Sequence, residues 1–175
     1  NCLSATRDRD YRTVIDLLDD YYLMFDVAPA GRLDRDTEGL VLLTNDGKLA
    51  HEIISPKKDV FKRYVAHVTG ELTETSINQL EAGVEILDGN NDAFMTKPAK
   101  VKVLGPVDNL TAVEICITEG KFHQVKRMFA SVGCKVVYLK RLAIGGLELD
   151  ESLALGEYRE LTDKELDCLK AEATH

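Results

Sequence analysis

Apolar residues at two different spacings along the chain predict strands interleaved with helices. The run from Leu40 to Thr44 is continuously apolar and lies between a glycine and an Asn-Asp-Gly turn, which predicts a buried strand. Residues 64–69 are alternating and β-branched, which predicts a second strand ending at Gly70. Shorter strands are predicted over 84–119, with turns at Asp88-Gly89 and Gly105-Pro106 and the clearest strand at 112–117, and another over 135–142.

Helical spacing of apolar residues occurs between these strands. The predicted helices are 13–19, a segment after Gly47 that packs through Leu49 and Ile53, a segment that opens at Thr73 and ends at Gly83, 121–132 ending at Gly133, and 163–172. Because the strands come in runs joined by tight turns, the order predicts an α+β fold. Its sheet is expected to be mixed and largely antiparallel, with helices packed on it.

Composition narrows the function classes. The 175 residues fit one or two domains, and a net charge of −8 argues against a protein that coats nucleic acid by charge alone. No apolar run approaches the roughly 18 residues of a membrane span. The cysteines and histidines form no CxxC, HxH or HxxxH pair, so free thiols are expected and no metal is: Cys2, Cys116, Cys134, Cys168, His51, His67, His123 and His175.

The segment Gly31 to Gly39 holds three acids at alternating positions, Asp34, Asp36 and Glu38. A calcium loop counted from Asp34 would need a glutamate at its twelfth position, where Asn45 stands. The plain alternative is a polar turn with solvated carboxylates ahead of a buried strand. A carboxylate in such a turn can act as nucleophile or base if a cation keeps it ionised.

The segment 119–129 predicts an amphipathic helix with basic residues. At about 100° per residue, its apolar stripe of Phe122, Val125, Phe129 and Val132 centres near Val125 and Phe129. Lys126 falls at the margin of this stripe, where its ammonium can reach a half-buried carboxylate. Arg127 points away from the stripe, toward solvent or a polyanion. The alternative is a surface helix whose basic residues are simply solvated.

Two further segments offer weaker signals. In Phe61-Lys62-Arg63-Tyr64, an aromatic residue opening a strand is usually part of the core. The functional alternative is a base-stacking platform beside two cations. The segment Lys140-Arg141-Leu142, followed by two glycines, carries little on its own.

Together these segments resemble the bacterial ribosomal RNA pseudouridine synthases of the RsuA type. The similarity runs in order from about Ser4 to about Leu169. It is carried by Gly31-Arg32-Leu33-Asp34, Thr37–Leu40, Leu42–Gly47, Glu119–Phe129, Val132-Gly133 and Gly156–Thr162. The tracts Ser55-Pro56-Lys57 and Thr96–Ala99 look most like the branch that acts on small-subunit ribosomal RNA.

The resemblance implies a pseudouridine synthase catalytic fold and an isomerase that converts a uridine in RNA to pseudouridine without a cofactor. It implies that Asp34 is the catalytic carboxylate, that Tyr64 stacks on the target base and that Lys126 pairs with Asp34. Arg32 is expected to contact RNA or to occupy the space of the flipped nucleotide. The full RNA- or uridine-binding set is Arg32, Lys62, Arg63, Gln124, Arg127, Arg141 and Leu142.

The implied partner is small-subunit ribosomal RNA, free or in an assembling subunit, with a monomeric enzyme in the cytoplasm and no membrane contact. The family usually begins with an S4-type RNA-binding domain and a Lys-Pro-x-Gly strand. Neither precedes Asn1, so residues 1–175 are expected to be a catalytic domain. Position 63, usually threonine, is arginine and adds charge beside the pocket.

Two alternatives remain open at this point. The chain could be an RNA-binding module of ribosome assembly that has lost catalysis, although Asp34, Tyr64 and Lys126 are all present. It could also be a metal-dependent hydrolase that uses the three acids Asp34, Asp36 and Glu38.

The net charge is unevenly distributed. Residues 121–141 carry six basic residues and no acid, whereas 148–172 carry three basic and nine acidic residues. The tracts 55–63 and 94–102 each carry a net charge of +3. This distribution predicts a basic stripe beside the pocket on an otherwise acidic body.

Overall fold

The structure is a computed structural model that describes residues 12–121 and 123–173. Its helices are α1 (Asp20–Leu23), α2 (Gly47–Ile54), α3 (Glu74–Ala82), α4 (Gln124–Ser131) and α5 (Asp163–Ala173). Short 3₁₀ turns span Val14–Leu17 and Pro56–Lys58. The strands are β1 (Ala28–Pro29), β2 (Glu38–Gly39), β3 (Leu43–Thr44), β4 (Lys62–Thr69), β5 (Glu85–Leu87), β6 (Ala93–Met95), β7 (Lys100–Val107), β8 (Leu110–Ile117), β9 (Lys135–Ile144) and β10 (Leu147–Glu148).

A six-stranded sheet organises the molecule. Its path is β10-β9-β4-β8-β7, and all of these neighbours are antiparallel. The sixth strand, β2, pairs with β9 in parallel, so the sheet is mixed. Two small antiparallel pairs, β1 with β3 and β5 with β6, lie outside it. The α+β prediction with a largely antiparallel sheet is confirmed.

Two hydrophobic cores pack against the central strands. The first joins α3, α4 and β5 to β4, β8 and β9, and includes the fully buried Leu80, Met128 and Phe129. The second joins α2 and α5 to the end of β9 through Ile53, Leu169 and their neighbours. Burial of apolar side chains in both cores supplies most of the driving force for folding.

Most predicted elements occur close to their expected bounds. Helix α2 buries Leu49 and Ile53 as predicted, and Thr73 caps α3 by accepting a hydrogen bond from the Ser76 N–H. The prediction over Leu40–Thr44 is correct only at its end, because the strand there covers two residues. Helix α4 begins at Gln124, later than expected; Phe122 lies outside the described residues.

The predicted turn at Gly105-Pro106 is wrong. Both residues lie inside β7, next to a register shift between Val103 and Gly105, and the chain reverses after Val107 instead. A proline is tolerated there because β7 is an edge strand, where a missing N–H breaks no ladder on the open side.

Within the described part of the chain, no helix is long and apolar enough to cross a membrane. The described cysteines, Cys116, Cys134 and Cys168, are free thiols, and Cys2 lies outside the described residues.

Candidate active site

The loop that carries Asp34 is held by hydrogen bonds to β9, a strand much later in the chain. Immediately after the loop, β2 pairs with β9 through Glu38 and Lys140. The Leu40 N–H donates to the Arg141 carbonyl at 2.9 Å, and Arg141 Nε donates back to the Leu40 carbonyl at 2.8 Å. The loop itself is tightened by the Thr37 N–H, which donates to the Asp34 carbonyl. These bonds fix where the carboxylate lies.

Asp34 lies against the first turn of α4. Its Oδ1 is 3.5 Å from His123 Nε2, and its Oδ2 is 4.0 Å from Lys126 Nζ. The side chain is about one quarter exposed, so its charge is only partly screened by water. The N-terminal end of a helix also favours a nearby negative charge. The predicted approach of Lys126 to Asp34 is thus present in the geometry.

A second carboxylate competes for the same ammonium. Lys126 Nζ donates to Asp36 Oδ1 at 2.5 Å, much closer than its distance to Asp34. This hydrogen bond holds the pKa of Asp36 below its usual range. Asp36 is mostly exposed, so the pair lies at the rim of the site. Sequence reasoning did not anticipate that Lys126 would pair with Asp36.

His123 was also missed as a site residue. It precedes α4 in the left-handed conformation (φ 50°), which is uncommon for a residue with a side chain. Such strained residues cluster at functional sites, where surrounding contacts hold them in place. The signal was available, because His123 lies three residues before Lys126, the spacing that places two side chains on one side of a helix.

A cleft of about 530 Å³ opens at the junction of the two cores. Tyr64 and Lys62 line it from β4, Arg141 from β9, and Ile53 from α2. Strand β4 alternates strictly, with Lys62 and Tyr64 on its buried face. Gly31 and Arg32, just ahead of Asp34, form part of the wall.

A bulge in β9 aims Arg141 into this cleft. Tyr64 pairs with Arg141 and Arg63 pairs with Ala143, which leaves Leu142 without a partner on β4. An extra residue of this kind bends a strand and redirects the neighbouring side chains. Tyr64 and Arg141 therefore face each other across the strands on the same side of the sheet.

The structure brings only some of the predicted RNA- or uridine-binding residues to the cleft. Arg32, Lys62 and Arg141 line the cleft with Tyr64. Arg63 does not, because it lies on the opposite face of β4. There it pairs with Glu114 at 3.3 Å and Glu148 at 3.1 Å.

Three other predicted binding residues also lie away from the cleft wall. Leu142 occupies the bulge. Gln124 is buried. Its side-chain N–H donates to the Glu119 carboxylate, and its side-chain oxygen accepts from the Lys121 N–H. Arg127 donates to the carbonyls of Leu87 and Asp88, which contradicts the expectation that it points to solvent.

The three acids considered for a metal-dependent hydrolase do not converge. Glu38 accepts a hydrogen bond from the Tyr138 hydroxyl at 3.0 Å. Burial and this bond raise the pKa of Tyr138 to about 12. In the described ranges, 12–121 and 123–173, no group of three or more His, Cys, Asp or Glu side chains is arranged to hold a metal ion.

Comparison with known proteins identifies the family. A family model described as RNA pseudouridylate synthase matches residues 2–131. The Bacillus subtilis protein described as the uncharacterized RNA pseudouridine synthase YtzG is 51% identical over 95% of this chain and 68% of its own length. The ribosomal small subunit pseudouridine synthase A of Salmonella typhimurium is 43% identical over 93% of this chain and 67% of its own length.

Solved structures agree with this family. A crystal structure of a pseudouridylate synthase superposes with a TM-score of 0.83 at 43% identity, covering 96% of this chain and 69% of that chain. A chain of a Cbf5-Nop10-Gar1 complex has a TM-score of 0.57 at 15% identity, covering 77% of this chain and 46% of that chain, and it shows a shared fold only. The chain belongs to the RNA pseudouridylate synthase family, in its RsuA-like branch, and is an RNA pseudouridine synthase.

Proposed function

We propose that this enzyme isomerises a uridine of small-subunit ribosomal RNA and that Asp34 is its catalytic carboxylate. The observation that carries the assignment is the position of Asp34 between Lys126 and His123. Asp34 also follows closely after Arg32, which lines the cleft with Tyr64. The choice of RNA is supported by the relatives named for the ribosomal small subunit, which are 41 to 44% identical to this chain.

The reaction is balanced without any added group. The bond between the ribose C1′ and N1 of uracil breaks, a bond between C1′ and C5 forms, and the proton lost from C5 is matched by one gained at N1. No oxidant, reductant or group donor enters this balance. We therefore propose a cofactor-free reaction in which the protein supplies position, charge and exclusion of water.

Each proposed residue has a physical task. A uridine in structured RNA must leave its stack, which costs a few kcal/mol. Stacking on the Tyr64 ring recovers about 1–3 kcal/mol of this. Lys126 puts a positive charge 4.0 Å from the Asp34 carboxylate, and the His123 ring lies 3.5 Å from it. Arg32 is exposed at the cleft wall, where it can contact RNA or fill the vacated stack.

The remaining parts of the proposal concern organisation. We propose that residues 1–175 act as a catalytic domain, that the enzyme is a monomer and that it works in the cytoplasm, where ribosomal RNA is made and assembled. Light scattering of the purified chain tests the monomer, since a mass near 39 kDa, twice the 19.5 kDa of one chain, would contradict it.

The test compares two matched variants on separate RNAs. Wild type, Asp34→Asn and Asp167→Asn are incubated with small-subunit and large-subunit ribosomal RNA, naked and in assembling subunits, and pseudouridine is quantified by mass spectrometry. Asp167 is an exposed carboxylate of α5. We expect product in small-subunit RNA from wild type and Asp167→Asn, and a loss of at least a thousandfold in Asp34→Asn.

The outcomes separate the parts of the proposal. RNA binding by wild type without product on any substrate would favour the inactive RNA-binding module. Product in large-subunit RNA alone would overturn the proposed substrate but not the proposed reaction. Full activity of Asp34→Asn, with an unchanged fold by circular dichroism, would overturn the catalytic assignment.

A further inference from the structure

Two buried cations line the cleft. Lys62 is 7% exposed and Arg141 is 3% exposed, yet both contribute to the cleft wall. Charged side chains are rarely buried this far unless a partner of opposite charge compensates them. In the described part of the chain, neither forms an ion pair with a carboxylate.

Their hydrogen-bond donors are only partly used. Lys62 Nζ donates to the Ile53 carbonyl at 2.8 Å, which accounts for one of its three N–H groups. Arg141 Nε donates to the Leu40 carbonyl, but its buried Nη2 has no partner. Since buried polar groups are nearly always hydrogen-bonded, these unused donors indicate an acceptor that enters the cleft from outside.

A purely structural role does not explain why these two cations are buried. The bonds to Leu40 and Ile53 explain one nitrogen of each side chain and leave the buried positive charges unbalanced. Burial, and the charge of Arg141, lower the pKa of Lys62 to about 8, which shows that the site disfavours its own ammonium. Apolar residues of similar volume would fill the space without this cost.

We propose that Lys62 and Arg141 form an anion site that binds a phosphodiester group of the RNA beside the target uridine. This inference rests on the proposed function, because the anion is taken from the RNA substrate. A phosphodiester carries a full negative charge and two free oxygens, enough for the ammonium and for the guanidinium Nη2. A neutral uracil carbonyl would leave both charges uncompensated.

The position of Tyr64 suits this assignment. Lys62 and Tyr64 lie two residues apart on the same face of β4, and Arg141 is directly opposite Tyr64 on β9. One nucleotide can therefore place its base on the Tyr64 ring and its phosphate at the two cations. The site fixes the sugar–phosphate backbone while the base is held out of its stack.

The first experiment measures binding without turnover. Uridine, inorganic phosphate and the dinucleotide UpU are titrated into wild type, Lys62→Met and Lys48→Met, and binding is followed by NMR chemical shifts. Lys48 is an exposed lysine of α2 and serves as the matched control. We expect UpU to bind wild type and Lys48→Met at least tenfold more tightly than uridine, and Lys62→Met to lose this difference.

A second variant guards against misfolding. Arg141→Lys keeps a positive charge but removes Nη2 and the hydrogen bond to Leu40. We expect it to weaken UpU binding at least fivefold and to change uridine binding little. Equal binding of UpU and uridine by folded wild type would overturn the proposal. Inorganic phosphate that binds at Lys62 without competing with UpU would overturn the phosphodiester as the occupant.

The pH dependence provides an independent check. The titratable or charged groups that line the cleft with Lys62 are Arg32, Tyr64, Glu119 and Arg141. Because Lys62 loses its proton as the pH rises through about 8, UpU affinity should fall across that range in wild type. Lys62→Met should show no such fall. The same fall in the variant would assign it to another group and contradict the role of Lys62.

Failure of this inference is distinguishable from failure of the proposed function. If wild type binds UpU through Lys62 but forms no pseudouridine on ribosomal RNA, the anion site stands and the function does not. If Lys62→Met forms pseudouridine with an unchanged KM and kcat, the function stands and the anion site does not.

Discussion

At the scale of single residues, the site is governed by the sharing of one ammonium between two carboxylates. Lys126 bonds Asp36 closely and reaches Asp34 only at 4.0 Å. Asp36 is the more exposed of the two, so water and ions screen its attraction more strongly. When RNA covers the site and excludes water, the interaction of Lys126 with the less exposed Asp34 gains most.

This sharing gives opposite expectations for two substitutions. Asp36→Asn removes the competing charge, so we expect pseudouridine formation at or above the wild-type rate. Lys126→Met removes the cation beside Asp34, and we expect about a hundredfold loss of kcat with RNA affinity nearly unchanged. Single-turnover assays under saturating enzyme separate the two effects. Equal losses in both variants would show that the Asp36–Lys126 pair itself is required.

The position of Lys126 near Asp34 was predicted correctly and the surroundings of Arg127 were not, for one physical reason. A helical projection gives the direction of a side chain relative to its own helix, and Lys126 needed only that. The environment of Arg127 depends on the hairpin of β5 and β6, which packs against α4 and offers the Leu87 and Asp88 carbonyls. The projection also omitted Met128, which is fully buried.

At the scale of elements, Gly39 is the tightest junction between the Asp34 loop and the sheet. It has a φ of 110°, and a Cβ at this position would collide with the backbone of Arg141. Gly47, the first residue of α2, has open space around the corresponding position. The two glycines differ in packing and in backbone conformation, so they form a useful pair for substitution.

We expect Gly39→Ala to lower the free energy of unfolding by about 2–4 kcal/mol, through strain and loss of the β2–β9 pairing. It should also reduce turnover, because the Asp34 loop loses its anchor. Gly47→Ala should change the free energy of unfolding by less than about 1 kcal/mol, in the stabilising direction. Urea unfolding and the pseudouridine assay measure both. A Gly39→Ala variant as stable as wild type would show that β9 yields to the added carbon.

Arg127 is expected to stabilise the packing of α4 against the β5–β6 hairpin. Arg127→Ala should lower the free energy of unfolding by about 1 kcal/mol, since two backbone carbonyls of the hairpin lose their donor. The salt dependence of RNA binding should not change, in contrast to the sequence-based expectation for this residue. Lys135→Ala, which removes an exposed cation of β9, is the control for charge alone. A weaker salt dependence of RNA binding in Arg127→Ala alone would show that Arg127 does contact RNA.

The elements most faithfully predicted are those whose signals are local. Thr73 and Gly83 bound α3 by capping, and the alternation of β4 follows from its own residues. Strand β2 could not be predicted, because its two residues are a strand only through pairing with β9. The Leu142 bulge that aims Arg141 likewise depends on register between distant strands.

At the scale of the whole molecule, the structure joins two basic tracts that are separate in sequence. Lys97 pairs with Asp59 at 3.0 Å, and Lys100 Nζ lies 5.2 Å from the centre of the exposed Phe61 ring. This brings 55–63 beside 94–102 at one side of the cleft, since Lys62 is part of the cleft wall. The acidic segment 148–172 satisfies part of its charge internally, through Arg159 with Asp150 and Glu165.

The joined tracts should bind the phosphates that flank the target. Lys57 and Lys100 are exposed, and we expect each alanine substitution to reduce the slope of log K against log salt by about 0.7–0.9. Lys164→Ala, in the acidic segment, should leave the slope unchanged. Binding to ribosomal RNA at several salt concentrations gives the three slopes. An equal reduction in Lys164→Ala would show that bulk charge, and not this surface, sets RNA affinity.

The pairing of β2 with β9 also determines when the enzyme can work during its own synthesis. Tyr138 and Arg141 bond residues 100 and 101 positions earlier in the chain. At about 5–20 residues per second, the Asp34 loop leaves the ribosome roughly 5–20 seconds before its anchors exist. Contacts of such high sequence separation form late in folding. A nascent chain therefore has neither a fixed Asp34 loop nor Arg141 in the cleft wall, and it cannot modify the ribosomal RNA beside which it is made until β9 has emerged.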